Sequence, residues 1–357
     1  MKKNQERLFH TLGALVDEYI QNCEPVSSRI LNEKYLSDVS SATLRMDLLK
    51  LEQQNLISQP HTSAGREPTI SGYRKYLEYI APGHRNVKYE RMDTLRELLV
   101  QNYKDTPRAL HYIMQMLAHE TDQLSFVAEP EVSSGYLSRL EVFSIGEQKL
   151  LFVMSLDSGL DKTVIMKCDY EINDAQLKRL VRYLNDELVG LRVYDIANKV
   201  LVEMRERTLG ESDLLTQFLT ELHKAFIEIS DFFIHFDGSI KFLEQPEFDD
   251  KESILNFMNL IQRQDFLLDL MRSHNGANVR VLMGDDFSDL RWYNFALIYG
   301  KYEVFGIPGF LGVVTPIRTE YRKLIPLIRD ITSTITQTTK KGMVIPRGRS
   351  NEQEAKG

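Results

Sequence analysis

Apolar residues recur at helical spacing near the start of the chain. They lie at i, i+4, i+7, i+8, i+11 and i+12, which places them along one face of a helix. The residues of this stripe are Leu8, Leu12, Leu15, Val16, Tyr19 and Ile20. The pattern predicts a first helix that ends near Asn22.

Two further helices follow, each opened by a serine in a capping position. Ser27 precedes a short helix with Ile30, Leu31 and Tyr35 on its predicted buried side. Residues 36–39 have the composition of a turn, and Ser40 then caps a helix that runs to about residue 55. Two helices joined by a tight turn predict a helix-turn-helix.

The third helix has a leucine face and a mixed polar face. At about 100° per residue, Leu44, Leu48 and Leu51 fall together on the side predicted to face the core. The opposite side carries side chains that suit base edges, methyl groups and phosphates of DNA. These residues are Ala42, Thr43, Arg45, Met46, Lys50 and Gln53. A solvated amphipathic helix has the same pattern. Leu49 lies near the polar side, where it is either covered by another helix or exposed to solvent.

The segment after the third helix has the chemistry of a wing. Residues 56–58 begin a strand, and residues 59–69 form a loop rich in Gly, Pro, Ser and Thr. We expect the loop to contact phosphates, with Gly65 permitting a close approach to the duplex. The candidate contacts are His61, Thr62, Ser63 and Arg66. An ordinary polar hairpin is the alternative for this loop. A further helix is predicted to begin at residues 72–77, and Pro82 and Gly83 then mark a predicted boundary.

The rest of the chain alternates between helical and strand patterns. Residues 91–124 are predicted to be helical with a break at Pro107, and strands at 140–145, 149–156 and 162–168 form an antiparallel meander. Asn173 and Gln176 form a capping-box pattern that starts a helix ending at residue 188. Further helices are predicted at 194–207, 214–234, 253–272 and 321–338, and further strands at 240–243, 279–283, 295–302 and 310–315. This order favours an α+β multidomain fold with a disordered tail at 346–357.

Composition narrows the class of protein. With 43% hydrophobic and 27% charged residues, a chain of 357 residues can form two or three folded domains. No apolar run approaches the roughly 18 residues of a membrane helix, and no signal-peptide core follows the N-terminus. Cys23 and Cys168 are far apart, which argues against a disulfide framework or a zinc site. We therefore expect a cytoplasmic protein that does not contact a membrane.

The charge distribution restricts how the chain could meet nucleic acid. The net charge is -7, but residues 1–85 hold 11 Lys and Arg against 10 Asp and Glu, whereas the rest holds 33 against 41. Any DNA contact must therefore come from a local basic surface rather than from bulk attraction.

Motifs of catalysis and cofactor binding are missing from the sequence. The eight histidines lack metal-ligand spacing, and His119 lacks the second histidine of a zincin helix. The glycine-rich segment 306–312 has neither a P-loop ending nor the strand-glycine-helix context of a dinucleotide site. A cation at Asp285, Asp286 and Asp289 is conceivable, although a solvated turn is favoured. We predict no enzymatic activity and no cofactor.

Several segments of the chain together form a recognisable pattern. In the N-terminal part these are residues 24–26, 28–29, 41–43 with Arg45, 51–52, and above all 59–66 with 68–69 and 72–74. Later they are residues 184–185 with Leu188 and Gly190, 245–248, and 309–314 with Pro316, Arg318 and Tyr321. With these segments the chain resembles, nearly from end to end, the HrcA family, the bacterial heat-inducible repressors of chaperone operons.

The resemblance implies three domains and a tail. They are a winged helix-turn-helix DNA-binding domain at 1–88, a GAF-like α/β domain split between 89–138 and 208–341, an inserted α/β dimerisation domain at 139–207, and a flexible tail at 342–357. It also implies a homodimer that binds double-stranded DNA at an inverted-repeat operator. The chaperonin GroEL is the implied partner that assists the repressor into its active form, so that heat, which diverts GroEL to unfolded clients, relieves repression.

The candidate DNA-binding residues combine this resemblance with the helix and wing patterns. They are Ser41, Ala42, Thr43, Arg45, Met46, Lys50, Gln53, His61, Thr62, Ser63, Arg66 and Arg74. The chain departs from the family pattern at Cys23 and Ser27, where glycines are usual, and at Met46, where asparagine is usual. Since each base contact is worth roughly 1–3 kcal/mol, we expect an altered preference at one or two operator positions rather than loss of binding.

An alternative hypothesis of a different class makes the GAF-like part a small-molecule sensor. The apolar residues at 293–302 would then line a pocket.

Overall fold

The computed structural model describes residues 2–60, 65–80, 97, 106–146, 148–168, 172–208, 213–230, 233–273, 279–287 and 292–342. Several predicted features lie outside these ranges. They are the wing residues His61, Thr62 and Ser63, the boundary at 82–83, the start of the helical segment at 91, Asp289, and the tail beyond residue 342.

The N-terminal part contains four described helices and a two-stranded antiparallel ribbon. The helices are α1 (Lys2–Asn22), α2 (Ser28–Lys34), α3 (Ser41–Gln53) and α4 (Ile70–Ile80), and the strands are β1 (Ile57–Ser58) and β2 (Glu67–Pro68). Leu12 and Leu15 of the predicted α1 stripe are fully buried, as the spacing requires. The prediction for Tyr35 is wrong, because this residue follows the end of α2 and is 38% exposed.

The remaining described elements follow in chain order. The helices are α5 (Thr106–Thr121), α6 (Asp174–Leu188), α7 (Leu201–Thr208), α8 (Asp213–Ser230), α9 (Ser239–Leu243), α10 (Lys251–Gln262), α11 (Gln264–Ser273) and α12 (Tyr321–Gly342). The strands are β3 (Leu124–Ala128), β4 (Leu137–Ser144), β5 (Lys149–Leu156), β6 (Asp161–Lys167), β7 (Ile234–Asp237), β8 (Val279–Met283), β9 (Phe295–Val304) and β10 (Ile307–Pro316). Helices and antiparallel strands together give a mixed α and β fold, in agreement with the predicted class.

A five-stranded antiparallel sheet in the order β7-β3-β10-β9-β8 separates two apolar cores. Along β9, Ala296 and Ile298 pack into the core shared with α1, α4, α5 and α12, whereas Leu297 and Tyr299 pack into the core under α9, α10 and α11. Successive side chains of a strand point to opposite faces, which explains this division. The apolar residues from Phe295 to Tyr299 and Tyr302 therefore fill the two cores, whereas Tyr293 is 44% exposed. This packing removes the observation that motivated a ligand pocket at 293–302.

The strands β4, β5 and β6 form the predicted three-stranded antiparallel meander. Its inner face packs with α6, α7 and α8, and Phe152 contacts Phe218 with ring centroids 6.0 Å apart. The capping box predicted for α6 is present. The Gln176 N–H donates a hydrogen bond to the side-chain oxygen of Asn173, and the Asn173 N–H donates one to the side-chain oxygen of Gln176. A π-helical turn at Ile196–Val200 precedes α7 within the helix predicted at 194–207.

Three predictions of local structure are wrong. Residues 240–243 form the helix α9 rather than a strand, because Gly238 adopts a positive φ and ends β7 just before it. The helix predicted at 214–234 stops at Ser230, and a strand begins at Ile234. The helix predicted at 253–272 is interrupted at Arg263. In addition, the strand β3 was not predicted, because all five of its residues are buried and show no alternation.

A charged cluster joins the three-stranded sheet to the five-stranded sheet. Glu129, which follows β3, accepts hydrogen bonds from His235 of β7 and from Lys162 of β6, each at 2.9 Å. The hydrogen bond from His235 and the ion pair with Lys162 lower the pKa of Glu129 to about 2, against the opposing effect of burial. The same bond to Glu129 raises the pKa of His235.

The cluster predicts a pH dependence of stability. Because the pKa of folded Glu129 is depressed, its contribution of about 3 kcal/mol is present above pH 4.5 and is lost as the pH falls toward 2. Glu129→Gln should therefore melt at a lower temperature than the wild type near pH 6, and the difference should shrink between pH 4.5 and 2. Thermal melts across this range check it, with Glu141→Gln on the exposed side of β4 as the control. Parallel pH profiles for the wild type and Glu129→Gln would contradict the assignment.

Candidate nucleic-acid interface

Two serine caps and one asparagine fix the connection between α2 and α3. The hydroxyl oxygen of Ser27 accepts a hydrogen bond from the Ile30 N–H, and that of Ser40 accepts one from the Thr43 N–H. The side-chain amide of Asn32 donates to the carbonyl oxygens of Leu36 and Val39, at 3.2 and 2.7 Å. These bonds satisfy backbone groups that the turn would otherwise leave without partners, and they set the angle at which α3 leaves α2.

The inner face of α3 carries the predicted leucines and one carboxylate that the sequence analysis missed. Leu44 and Leu51 are fully buried, and Asp47 between them is 1% exposed. Both oxygens of Asp47 accept hydrogen bonds from Arg7 of α1, at 2.7 and 3.0 Å. A bidentate contact of this kind fixes geometry as well as charge, so it sets the rotation of α3 against α1. An aspartate on the leucine side of the helical wheel was the available signal.

The opposite face of α3 is open to solvent, and we call it the outer face. It consists of Ala42, Arg45, Met46, Leu49, Lys50 and Gln53, all of which are exposed. Met46 is 54% exposed and Leu49 is 45% exposed, so none of the described helices covers Leu49. Ser41 is also exposed, whereas Thr43 is half-buried with its hydroxyl 2.8 Å from that of Ser40. The structure thus brings most of the predicted helix residues into one continuous surface.

Both carboxylates of α3 are paired with arginines from other elements. Asp47 pairs with Arg7, and Glu52 pairs with Arg66 at 3.1 Å. Arg45 and Lys50 are the cationic side chains of the outer face, and no carboxylate lies among the six residues that form it. The local surface can therefore attract a polyanion although the whole chain is acidic.

The base of the predicted wing is tied to the loop before α2. Val26 and Arg66 exchange two backbone hydrogen bonds of 2.8 Å each. A Cβ at Gly65 would lie 2.5 Å from the Pro25 carbonyl oxygen, so the close approach there requires glycine. The Arg66 side chain turns inward toward Glu52 and is 18% exposed. This inward pairing differs from the phosphate contact expected of Arg66.

The start of α4 rests on the segment between α3 and β1. The Thr69 N–H donates to the Leu56 carbonyl oxygen at 3.1 Å, and the Thr69 hydroxyl donates to the Asn55 carbonyl oxygen at 2.7 Å. A Cβ at Gly72 would lie 1.9 Å from the same Leu56 oxygen. The absence of a side chain at Gly72 therefore allows α4 to begin where it does.

Arginine contacts attach α4 and α1 to the segment at the end of β8 and to α12. Arg74 of α4 donates to the Met283 carbonyl oxygen and pairs with Asp286, each at 3.1 Å. Arg322 of α12 pairs with Asp17 of α1 at 3.1 Å, and the Tyr76 hydroxyl donates to the same carboxylate. Arg74, predicted as a DNA contact, is thus directed toward the sheet. The residues it meets lie more than two hundred positions away in the chain, so no local pattern pointed to this contact.

The described residues offer neither a metal site nor a membrane span. No group of three or more His, Cys, Asp or Glu side chains among them is placed to hold a metal ion. None of the described helices is long and apolar enough to cross a membrane. Asp286 of the predicted acidic group is paired with Arg74, as above, and accepts a hydrogen bond from the Met283 N–H.

Comparisons with known proteins agree over most of the chain. The family model described as HrcA protein C terminal domain matches residues 108–325. A protein of Natranaerobius thermophilus named heat-inducible transcription repressor HrcA is 28% identical over 331 residues, covering 92% of this chain and 95% of that protein. The protein of the same name from Halalkalibacterium halodurans is 27% identical over 333 residues, with 93% and 96% covered. A crystal structure described as a hypothetical protein has a TM-score of 0.62 and 25% identity, with 94% of this chain and 98% of that chain covered.

Proposed function

Because the chain belongs to the HrcA family of transcription repressors, we propose that it is a dimeric repressor of chaperone operons that binds an inverted-repeat operator in their promoters. The family consists of repressors and not of enzymes, so the function lies in binding rather than in catalysis. A repressor acts on the promoter DNA, which places it in the cytoplasm of a bacterium.

The outer face of α3 carries this proposal. It presents a guanidinium, an ammonium and an amide on one exposed helix side, and the carboxylates of the same helix are neutralised by arginines. A helix of this kind fits the major groove, where Arg45 is able to form a two-pronged contact with guanine and Lys50 to contact a phosphate. We propose that residues 1–88 form a winged helix-turn-helix in which α3 is the recognition helix and His61, Thr62 and Ser63 belong to the wing.

Dimerisation is proposed to use the inserted segment 139–207. The outer face of its sheet carries Phe143, Leu151 and Ile165 side by side in register, and Phe143 and Ile165 are 48% and 58% exposed. A row of apolar side chains on a solvent-facing sheet supports an interface with a second copy. The remaining segments, 89–138 and 208–341, would form the GAF-like domain that connects this interface to the DNA-binding domain.

Fixed attachment of the DNA-binding helices favours a defined spacing between the two recognition helices. The contacts of Arg74 with Asp286 and of Arg322 with Asp17 tie α4 and α1 to the body of the protein. In a two-fold dimer this attachment holds both copies of α3 at a set distance. We therefore expect half-sites that are separated by about one helical turn of DNA or a multiple of it.

The response to heat is proposed to act through the chaperonin GroEL. Family membership supports this part, since the relatives are named heat-inducible. Operator binding should rise when GroEL is added at the lower of two temperatures and should fall when an unfolded client protein competes for GroEL. Affinity that is the same with and without the chaperonin at both temperatures would remove this element of the proposal.

Selection of bound sequences from a random duplex pool tests the proposed function. The full chain should recover duplexes with an inverted repeat, and sedimentation should find two chains on each recovered duplex. A pool that is not enriched in any sequence would contradict the proposal.

Lys50→Ala is expected to weaken binding to all duplexes alike. Loss of one phosphate contact should reduce the slope of log affinity against log salt by about one, with no change in base preference. Titrations at several salt concentrations on a recovered duplex and on a scrambled duplex measure both quantities. Lys251→Ala, at an exposed lysine of α10, serves as the control. A change in base preference at constant salt slope would contradict the phosphate assignment.

A further inference from the structure

Met46 and Leu49 lie at the centre of the outer face of α3, together with Ala42 and the amide side chain of Gln53. Positions 42, 46, 49 and 53 are separated by four, three and four residues, which confines them to a sector of about 60° on the helix. Met46 and Leu49 lie in this sector, and about half of each side chain is exposed. Arg45 falls on one border of the sector and Lys50 on the other.

The charge pattern around this apolar centre favours a duplex as the occupant. Cations border the centre, and the helix carboxylates Asp47 and Glu52 are bound to Arg7 and Arg66. The major groove has the complementary pattern, with phosphates along both walls and base edges on its floor. An apolar surface on another protein would leave Arg45 and Lys50 without matching charges.

Thymine is the base that suits Met46 and Leu49. It is the only base that presents a methyl group in the major groove, whereas the other base edges present donors and acceptors there. Neither side chain could replace the water lost from those polar edges, so contact with cytosine would leave its amino group without a partner. The unbranched thioether of Met46 can adapt to the position of a methyl group.

We propose that Met46 and Leu49 determine operator specificity by contacting thymine methyl groups under the middle of α3 in each half-site. This inference rests on the proposed function and adds the base that the apolar centre reads. It assigns a base contact to Leu49, which was not among the candidate DNA-binding residues of the sequence analysis. It also makes Met46 a residue that recognises a base.

Replacement of thymine by deoxyuridine tests the proposal, because it removes only the C5 methyl group. Each thymine of a duplex recovered from the random pool is replaced in turn, and binding of the full chain is measured by fluorescence anisotropy. Loss of one buried methyl contact should weaken binding by roughly fourfold at one or two positions of each half-site. In the Met46→Ala or Leu49→Ala variant, replacing the thymine that the lost side chain contacts should not weaken binding any further. Leu255→Ala, at a leucine of α10 that is 52% exposed, is the control and should keep the full sensitivity.

The outcomes separate this proposal from the proposed function. Tight binding that tolerates deoxyuridine at every position would overturn the thymine contact while leaving the repressor intact. Deoxyuridine sensitivity that persists unchanged in both alanine variants would also overturn it. If no sequence is recovered from the pool, the proposed function fails and this inference fails with it. Thermal melts show whether each variant is folded. The deoxyuridine series with the wild-type chain tests the thymine contact even if a variant fails to fold.

Discussion

Gly72→Ala is expected to destabilise the DNA-binding region by about 3 kcal/mol, which corresponds to a fall of roughly 5–10 °C in melting temperature. The added Cβ would lie 1.9 Å from the Leu56 carbonyl oxygen, which belongs to the backbone. The first turn of α4 would have to move, and the hydrogen bonds from Thr69 to Leu56 and Asn55 would be strained. Calorimetry of the full chain measures the change.

The neighbouring substitution Ser71→Ala provides the matched control for this experiment. Ser71 is exposed in the same turn of α4, so its truncation should leave the melting temperature within about 1–2 °C of the wild type. Gly72→Ala should also weaken operator binding, because the displaced segment around Leu56 joins α3 to β1. Equal melting temperatures for the two variants would show that the packing of the start of α4 against Leu56 does not depend on this glycine.

Arg45→Ala is expected to reduce affinity for the recovered operator by about ten- to a hundredfold and to relax preference at one base pair. The physical reason is the loss of the bidentate hydrogen bond that the Arg45 guanidinium is proposed to donate to guanine. Arg45→Lys keeps the positive charge but not the planar fork, so it should retain affinity for scrambled DNA while losing the preference. Competition titrations against all four base pairs at each position measure the effect.

A suitable control for Arg45 is Arg263→Ala, because Arg263 lies between α10 and α11 and is exposed. Its removal changes the net charge by the same amount without touching α3 or the proposed dimer interface. If Arg45→Ala and Arg263→Ala weaken binding equally and for all sequences, Arg45 contributes charge alone and its proposed base contact is wrong.

Elements with strong local signals could be predicted from the sequence. The caps at Ser27, Ser40 and Asn173 each receive a backbone hydrogen bond in the structure, and the periodic leucines of α3 are buried. These features depend on residues within a few positions of one another. The three-stranded meander was accessible for the same reason, since its strands are joined by short turns.

Two strands of the five-stranded sheet were not predicted. β3 pairs with β7 and with β10, whose residues lie far along the chain, so its stability comes from distant partners. All five residues of β3 are buried and show no alternation. β7 follows closely after a strongly apolar helix, so a pattern read along the chain extended that helix through the strand.

In the candidate site too, features that depend on local sequence could be predicted, whereas contacts between distant residues could not. Exposure of Arg45, Met46 and Lys50 followed from the helical wheel, because α3 is regular over its whole length. The partners of Arg66 and Arg74 could not be inferred, since Glu52 and Asp286 meet them only through tertiary packing. The same holds for Arg7 as the partner of Asp47, although the helical wheel places Asp47 itself on the buried side.

The most direct test of the central claim is a comparison of two affinities under one condition. The wild-type chain is titrated at about 0.15 M salt with an inverted-repeat duplex recovered from the random pool and with a scrambled duplex of identical composition. Binding of the recovered duplex should be at least about a thousandfold tighter. Equal affinities for the two duplexes would contradict the account of this chain as an operator-reading repressor.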